Sequence, residues 1–107
     1  MNKTSKTYEE ILKCVDAALK KLGKNIDKSI YYYLKNDFNL EKFEIPEKPE
    51  IFERALISIF GEQGAKVLQK LILVEIKSSF HSFPSNRGLD LTFKEAVTRV
   101  KRLSVSA

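Results

Sequence analysis

Apolar residues recur at three- and four-residue spacings along most of the chain, the period of an amphipathic helix. Tyr8, Ile11, Leu12, Val15, Leu19 and Leu22 define the first such face and predict a helix from Ser5 or Thr7 to Leu22. Thr7 and Glu10 have capping-box spacing, and Gly23 offers a stop. A second helix is predicted from Asp27 to about Asn36 on Ile30, Tyr31 and Leu34, with Asp27 as its cap. The run Tyr31-Tyr32-Tyr33 also suits a strand. The stretch NDFNLEKFEIPEKP mixes short apolar pulses with polar residues, and Pro46 and Pro49 bar one helix through it. It reads as a connector with a short helical turn, pinned to the core by Phe38, Leu40, Phe43 and Ile45.

Pro49 suits the first turn of a third helix, whose stripe is Phe52, Ala55, Leu56, Ile59 and Phe60. Gly61 and Gly64 interrupt it and permit a reversal that sets the next helix antiparallel beside it. That fourth helix, roughly Ala65 to Ser79, carries Ala65, Leu68, Ile72 and Ile76 on one side, while Leu71 and Val74 widen its apolar surface. Ser82 to Gly88 reads as a turn. Thr92 and Glu95 again have capping-box spacing, before a last helix built on Phe93, Ala96, Val97, Val100 and Leu103. The expected fold is all-α, a compact orthogonal or irregular bundle of about five helices in a single domain over residues 1–107. Leu12, Val15, Leu19, Phe52, Leu56, Phe60, Leu68 and Ile72 are its expected core.

Composition narrows the class. The chain has 107 residues, 43% hydrophobic, with only four glycines and three prolines, which argues against a disordered or collagen-like polymer. The longest apolar run, Leu71 to Val74, is far short of a membrane span. The basic N-terminus leads into no apolar signal region, and the single Cys14 forms no internal disulfide, so a cytoplasmic setting is expected. The net charge of +5 is unevenly distributed. Residues 1–36 carry eight bases and four acids, residues 37–62 three bases and seven acids, and residues 63–107 eight bases and three acids. The acidic middle can therefore meet a basic flank in the same or another copy.

No motif assembles catalysis. His81 is the most versatile titratable side chain, but its neighbours Phe80, Ser82 and Phe83 supply no partner. Cys14 sits near the apolar face of the first helix and reads as a packed small hydrophobe. Glu41, Glu44, Glu47, Glu50 and Glu53 recur every three residues, yet prolines break the frame that would align them. The GEQG segment lacks the lysine and hydroxyl residue of a phosphate-binding loop. No catalytic, cofactor-binding or metal-binding residue is assigned, and no enzyme activity or cofactor is expected.

Two binding readings remain. The apolar surface of the third and fourth helices exceeds one stripe, which points to a protein interface at Leu71 and Val74, and to a homodimer above other protein partners. A nucleic-acid partner is the alternative. Tyr32 would stack bases while Lys28, Lys35, Arg99 and Arg102 contact phosphate.

The segments SIYYYL, FEIPEKPEIFERAL and ISIFGEQGAKVLQKLIL together resemble a small archaeal all-helical family. The resemblance covers roughly Tyr8 to Phe80. Members look like C-terminal output modules of regulators in ammonia-oxidising archaea, and also like free-standing small proteins. The resemblance implies a helical fold and a regulatory setting. It carries no catalytic residue onto this chain. No receiver or sensor pattern accompanies it, so it does not extend to phosphotransfer.

Overall fold

A computed structural model describes residues 3–80 and 91–106. The described residues form four α-helices, α1 (Lys3–Lys20), α2 (Ile26–Phe38), α3 (Pro49–Ser79) and α4 (Phe93–Ser106), with a 3-10 turn at Lys42–Glu44. They contain no strand, so the tyrosine run is helical. His81, the Ser82–Gly88 turn and the side chain of Leu103 lie outside the described residues.

The expected faces are the ones buried. Ile11, Val15 and Leu19 of α1, Ile30 and Leu34 of α2, and Phe93, Ala96, Val97 and Val100 of α4 are almost wholly excluded from solvent. They join Phe52, Ala55, Leu56, Ala65, Leu68, Ile72, Leu73 and Ile76 of α3 in one core. Helix α1 packs on α2, α3 and α4, so its apolar face is the hub of the bundle. The rings of Phe52 and Phe93 meet edge to face with centroids 4.9 Å apart, which locks α4 onto α3.

The expected third and fourth helices are both present, joined directly by a sharp kink at Gly61 with no intervening loop, and together they make up α3. Gly61 alone departs from helical geometry, at φ 79 and ψ 170. Helical residues resume at Glu62, so α3 has a first arm, residues 49–60, and a second arm, residues 62–79. Gly61 occupies a region of backbone space that is essentially restricted to glycine. No atom lies within 4 Å of a Cβ built there. Gly61→Ala should therefore cost about 1–3 kcal/mol through the backbone alone. Urea unfolding measures this, and an unchanged midpoint would refute the strained step. Gly64 has a different role. A Cβ there would lie 2.8 Å from Cβ of Phe60, so its absence lets Phe60 lie close against the second arm.

Other expectations are corrected. Helix α1 begins at Lys3, which puts Thr7 inside the helix and buried, so Thr7 and Glu10 form no N-terminal capping box. Helix α2 starts one residue before Asp27. Asn25, in the left-handed region at φ 66, takes the N-cap position, and Asp27 is buried in the first turn. Phe60 and Phe43, both expected to be buried, are 38% and 63% exposed. Phe60 ends the first arm, and Phe43 is turned outward by the 3-10 turn, whose neighbours Leu40 and Ile45 are buried instead. Leu12, expected in the core, is only partly buried, and Leu71, expected at an exposed interface, is itself partly buried and packs against the core. The Thr92–Glu95 capping box does form, with the Thr92 N–H donating to Glu95 Oε1 at 2.9 Å and the Glu95 N–H to Thr92 Oγ1 at 3.1 Å.

Candidate functional site

The second arm of α3 turns one face to the core and leaves another open. Val67, Leu71 and Val74, spaced i, i+4 and i+7, share that outer face. Val67 is 59% exposed and Val74 45% exposed, while Leu71 between them is half-buried and touches the core. Gly64 and Ser78 extend the same uncharged stripe, and Phe60 lies close against Gly64 at its upper end. Helical spacing puts Lys66 and Lys70 along one border. Glu75 lies on the other border and is paired with Lys21 of the α1–α2 turn. Leu71 and Val74 stand out in the sequence as apolar residues beyond the core stripe; Val67, the most exposed member, shares their spacing but was not singled out there.

A cleft of about 570 Å³ lies beside this arm, lined by Glu53, Ile57, Glu62, Lys66, Gln69 and Lys70 and closed by Leu91 and Thr92. Its polar groups already serve the start of α4. The Phe93 N–H donates to Gln69 Oε1 at 2.9 Å, and the Lys94 N–H donates to Glu53 Oε2. The Lys94 ammonium reaches Glu50 at 3.7 Å. Here acidic residues of the middle segment meet the basic C-terminal segment within one copy. These contacts satisfy amides that a helix start would otherwise leave unpaired.

A second polar cluster ties α2 and the 3-10 turn to α1. The Tyr31 hydroxyl donates to Asp16 Oδ1 at 2.7 Å. Lys20 and Lys42 each approach the same carboxylate at 3.5 Å, and the Lys42 ammonium lies 4.7 Å from the Tyr31 ring centroid. Burial pushes the Asp16 pKa upward, but the phenol and the two ammonium groups outweigh it and hold the carboxyl below its ordinary value. Burial, with the neighbouring Asp16, raises the Tyr31 pKa, so the phenol remains a donor. This cluster is a clasp between elements. Because the folded Asp16 pKa lies below the ordinary value of an aspartate, its stabilisation is present above about pH 4. It is lost as pH falls through the lower, folded pKa. Tyr31→Phe should cost about 1.5–3 kcal/mol near neutral pH and flatten this acid-side loss. Unfolding midpoints at two pH values measure both effects, and parallel losses in the two proteins would contradict the role of the phenol.

The five residues expected to contact nucleic acid fall in two places. Lys28, Tyr32 and Lys35 share an outer face of α2, whereas Arg99 and Arg102 lie on the outer face of α4. Helix α2 packs on α1, α3 and the 3-10 turn, and α4 on α1 and α3. The two groups therefore lie on different helices. Cys14 is buried, and its thiol donates to Ser79 Oγ at 3.4 Å. Burial raises its pKa, which disfavours the thiolate. Among the described residues, no group of three or more His, Cys, Asp or Glu side chains is placed to hold a metal ion. None of the described helices is long and apolar enough to cross a membrane.

These features define a small all-helical domain with a solvent-facing apolar stripe. Its fold is similar to that of the crystal structure of PH0832 from Pyrococcus horikoshii OT3, with a TM-score of 0.78. The match covers 92% of this chain and 96% of that one at 19% sequence identity, and so establishes likeness of fold alone. No protein-family model and no curated protein matches the sequence.

Proposed function

We propose that this chain is a non-enzymatic regulatory or protein-interaction domain that pairs with a second copy through the second arm of α3. The observation that carries this reading is the open stripe of Val67, Leu71 and Val74 on a helix whose opposite face is already committed to the core. The stripe contains no charge that a second copy would have to desolvate, and Gly64 and Ser78 leave room for close approach. Two-fold pairing is the commonest way for such a surface to cover itself. The resemblance to output domains of archaeal regulators supports a regulatory setting, and the single buried cysteine suits the cytoplasm.

Light scattering over a concentration series tests the pairing. The proposal expects about twice the 12.3 kDa chain mass at high concentration, falling on dilution. The monomer mass throughout would overturn it.

A further inference from the structure

We infer that the outward face of α2 binds single-stranded nucleic acid, with Tyr32 as a stacking platform and Lys28 and Lys35 as phosphate contacts. This face is separate from the stripe on α3, and the inference does not depend on pairing.

The register of α2 sets up the platform. Ile30 and Leu34 are buried, and Tyr31 is held inward by its hydrogen bond to Asp16. The adjacent Tyr32 and Tyr33 must then face outward, and they are 68% and 48% exposed. Their rings meet edge to face at 6.5 Å, inclined by 73°, rather than stacking on each other. Ring faces are thus left open to a further aromatic group, and the helix beneath them is clamped. A recess of about 390 Å³ lies among Lys28, Ser29, Tyr32 and Tyr33.

Charge follows the same line. Lys28 lies four residues before Tyr32 and Lys35 three after it, so the three share one face. The lysines are about 10 Å apart along the helix axis, with the ring between them. No ion pair engages Lys28 among the described residues. Lys35 makes only a 3.8 Å, solvent-exposed contact with Glu41, which competes weakly with a phosphate. Asp37 lies one turn beyond Tyr33 and steers a polyanion toward the Lys28–Tyr32–Lys35 row. A flat base on Tyr32, flanked by phosphates at the two ammonium groups, uses every feature of this face. An acidic peptide would use the lysines and leave the rings idle. Arg99 and Arg102, on α4, lie outside this site.

Fluorescence anisotropy with labelled oligo-dT and oligo-U of about eight nucleotides tests the site. The wild-type chain is expected to bind at low salt and to weaken steeply as salt rises. Tyr32→Ala should weaken binding about fivefold or more, while Tyr32→Phe, which keeps the ring face, stays within about twofold. Lys28→Gln should reduce the salt dependence, and Arg99→Gln should leave binding unchanged. Helical circular dichroism establishes that each variant is folded. Binding of either oligomer supports the site, and the ratio between them reports whether the ribose hydroxyl is read. Absence of binding at low salt, equal binding by Tyr32→Ala, or equally tight and Tyr32-dependent binding of poly-glutamate would each overturn the inference.

Discussion

Phe52→Ala is expected to be the most damaging single truncation, costing about 3–5 kcal/mol. Phe52 is fully buried and its ring packs edge to face on Phe93, so the change empties a space bounded by the first arm of α3 and by α4. A domain of this size has total stability on the order of 5–15 kcal/mol. The variant should therefore unfold at much lower urea concentration, with the slope of the transition unchanged. Phe93→Ala should behave similarly. The double variant should lose less than the two single losses combined, because the partners share one cavity and one ring contact. Additive losses would show that the two rings do not act as a unit.

Val74→Glu is expected to abolish self-association while leaving the monomer folded. The side chain is 45% exposed in the single copy, so a carboxylate there stays hydrated in the monomer. In a pair formed through the stripe, that carboxylate would be buried without a dedicated partner and would meet its own copy across the two-fold. Val67→Glu should act in the same way from about two turns away. Val74→Leu, which keeps the surface apolar, should still pair. Sedimentation at matched concentrations separates the three, with circular dichroism as the folding control. Pairing that survives both glutamates would move the contact elsewhere on the molecule.

Much of the fold was legible because helical spacing reports which face is apolar. Phe93, Ala96, Val97 and Val100 were assigned to one face, and all four are fully buried. Spacing does not report how far neighbouring elements extend to cover a face. Phe60 continues the stripe of its arm but lies at the arm's end, beside the break at Gly61, and remains 38% exposed. The break itself was visible as a glycine. That helical residues would resume directly at Glu62 depends on a backbone step that residue type permits but does not dictate. Capping spacing was equally ambiguous. Thr7–Glu10 and Thr92–Glu95 look alike in sequence, yet only the second pair sits at a helix start.

The candidate surfaces divide in the same way. Val74 stood out as an apolar residue beyond the core stripe, a property of one helix. The Asp16–Tyr31–Lys42 clasp brings together residues from α1, α2 and the 3-10 turn, and nothing in their local sequences pairs them. Nor does local sequence reveal that Gln69 and Glu53 serve the first amides of α4. The acidic middle was visible as charge. That Glu50 and Glu53 spend it within the same chain required the packing of α4 on α3.

Radical footprinting across a concentration series, read by mass spectrometry, tests most directly whether the second arm of α3 is the contact surface. Val67, Leu71 and Val74 should lose labelling as concentration rises, while the exposed Phe43 keeps its labelling at every concentration. Labelling of the stripe that stays constant over the same range would contradict the account.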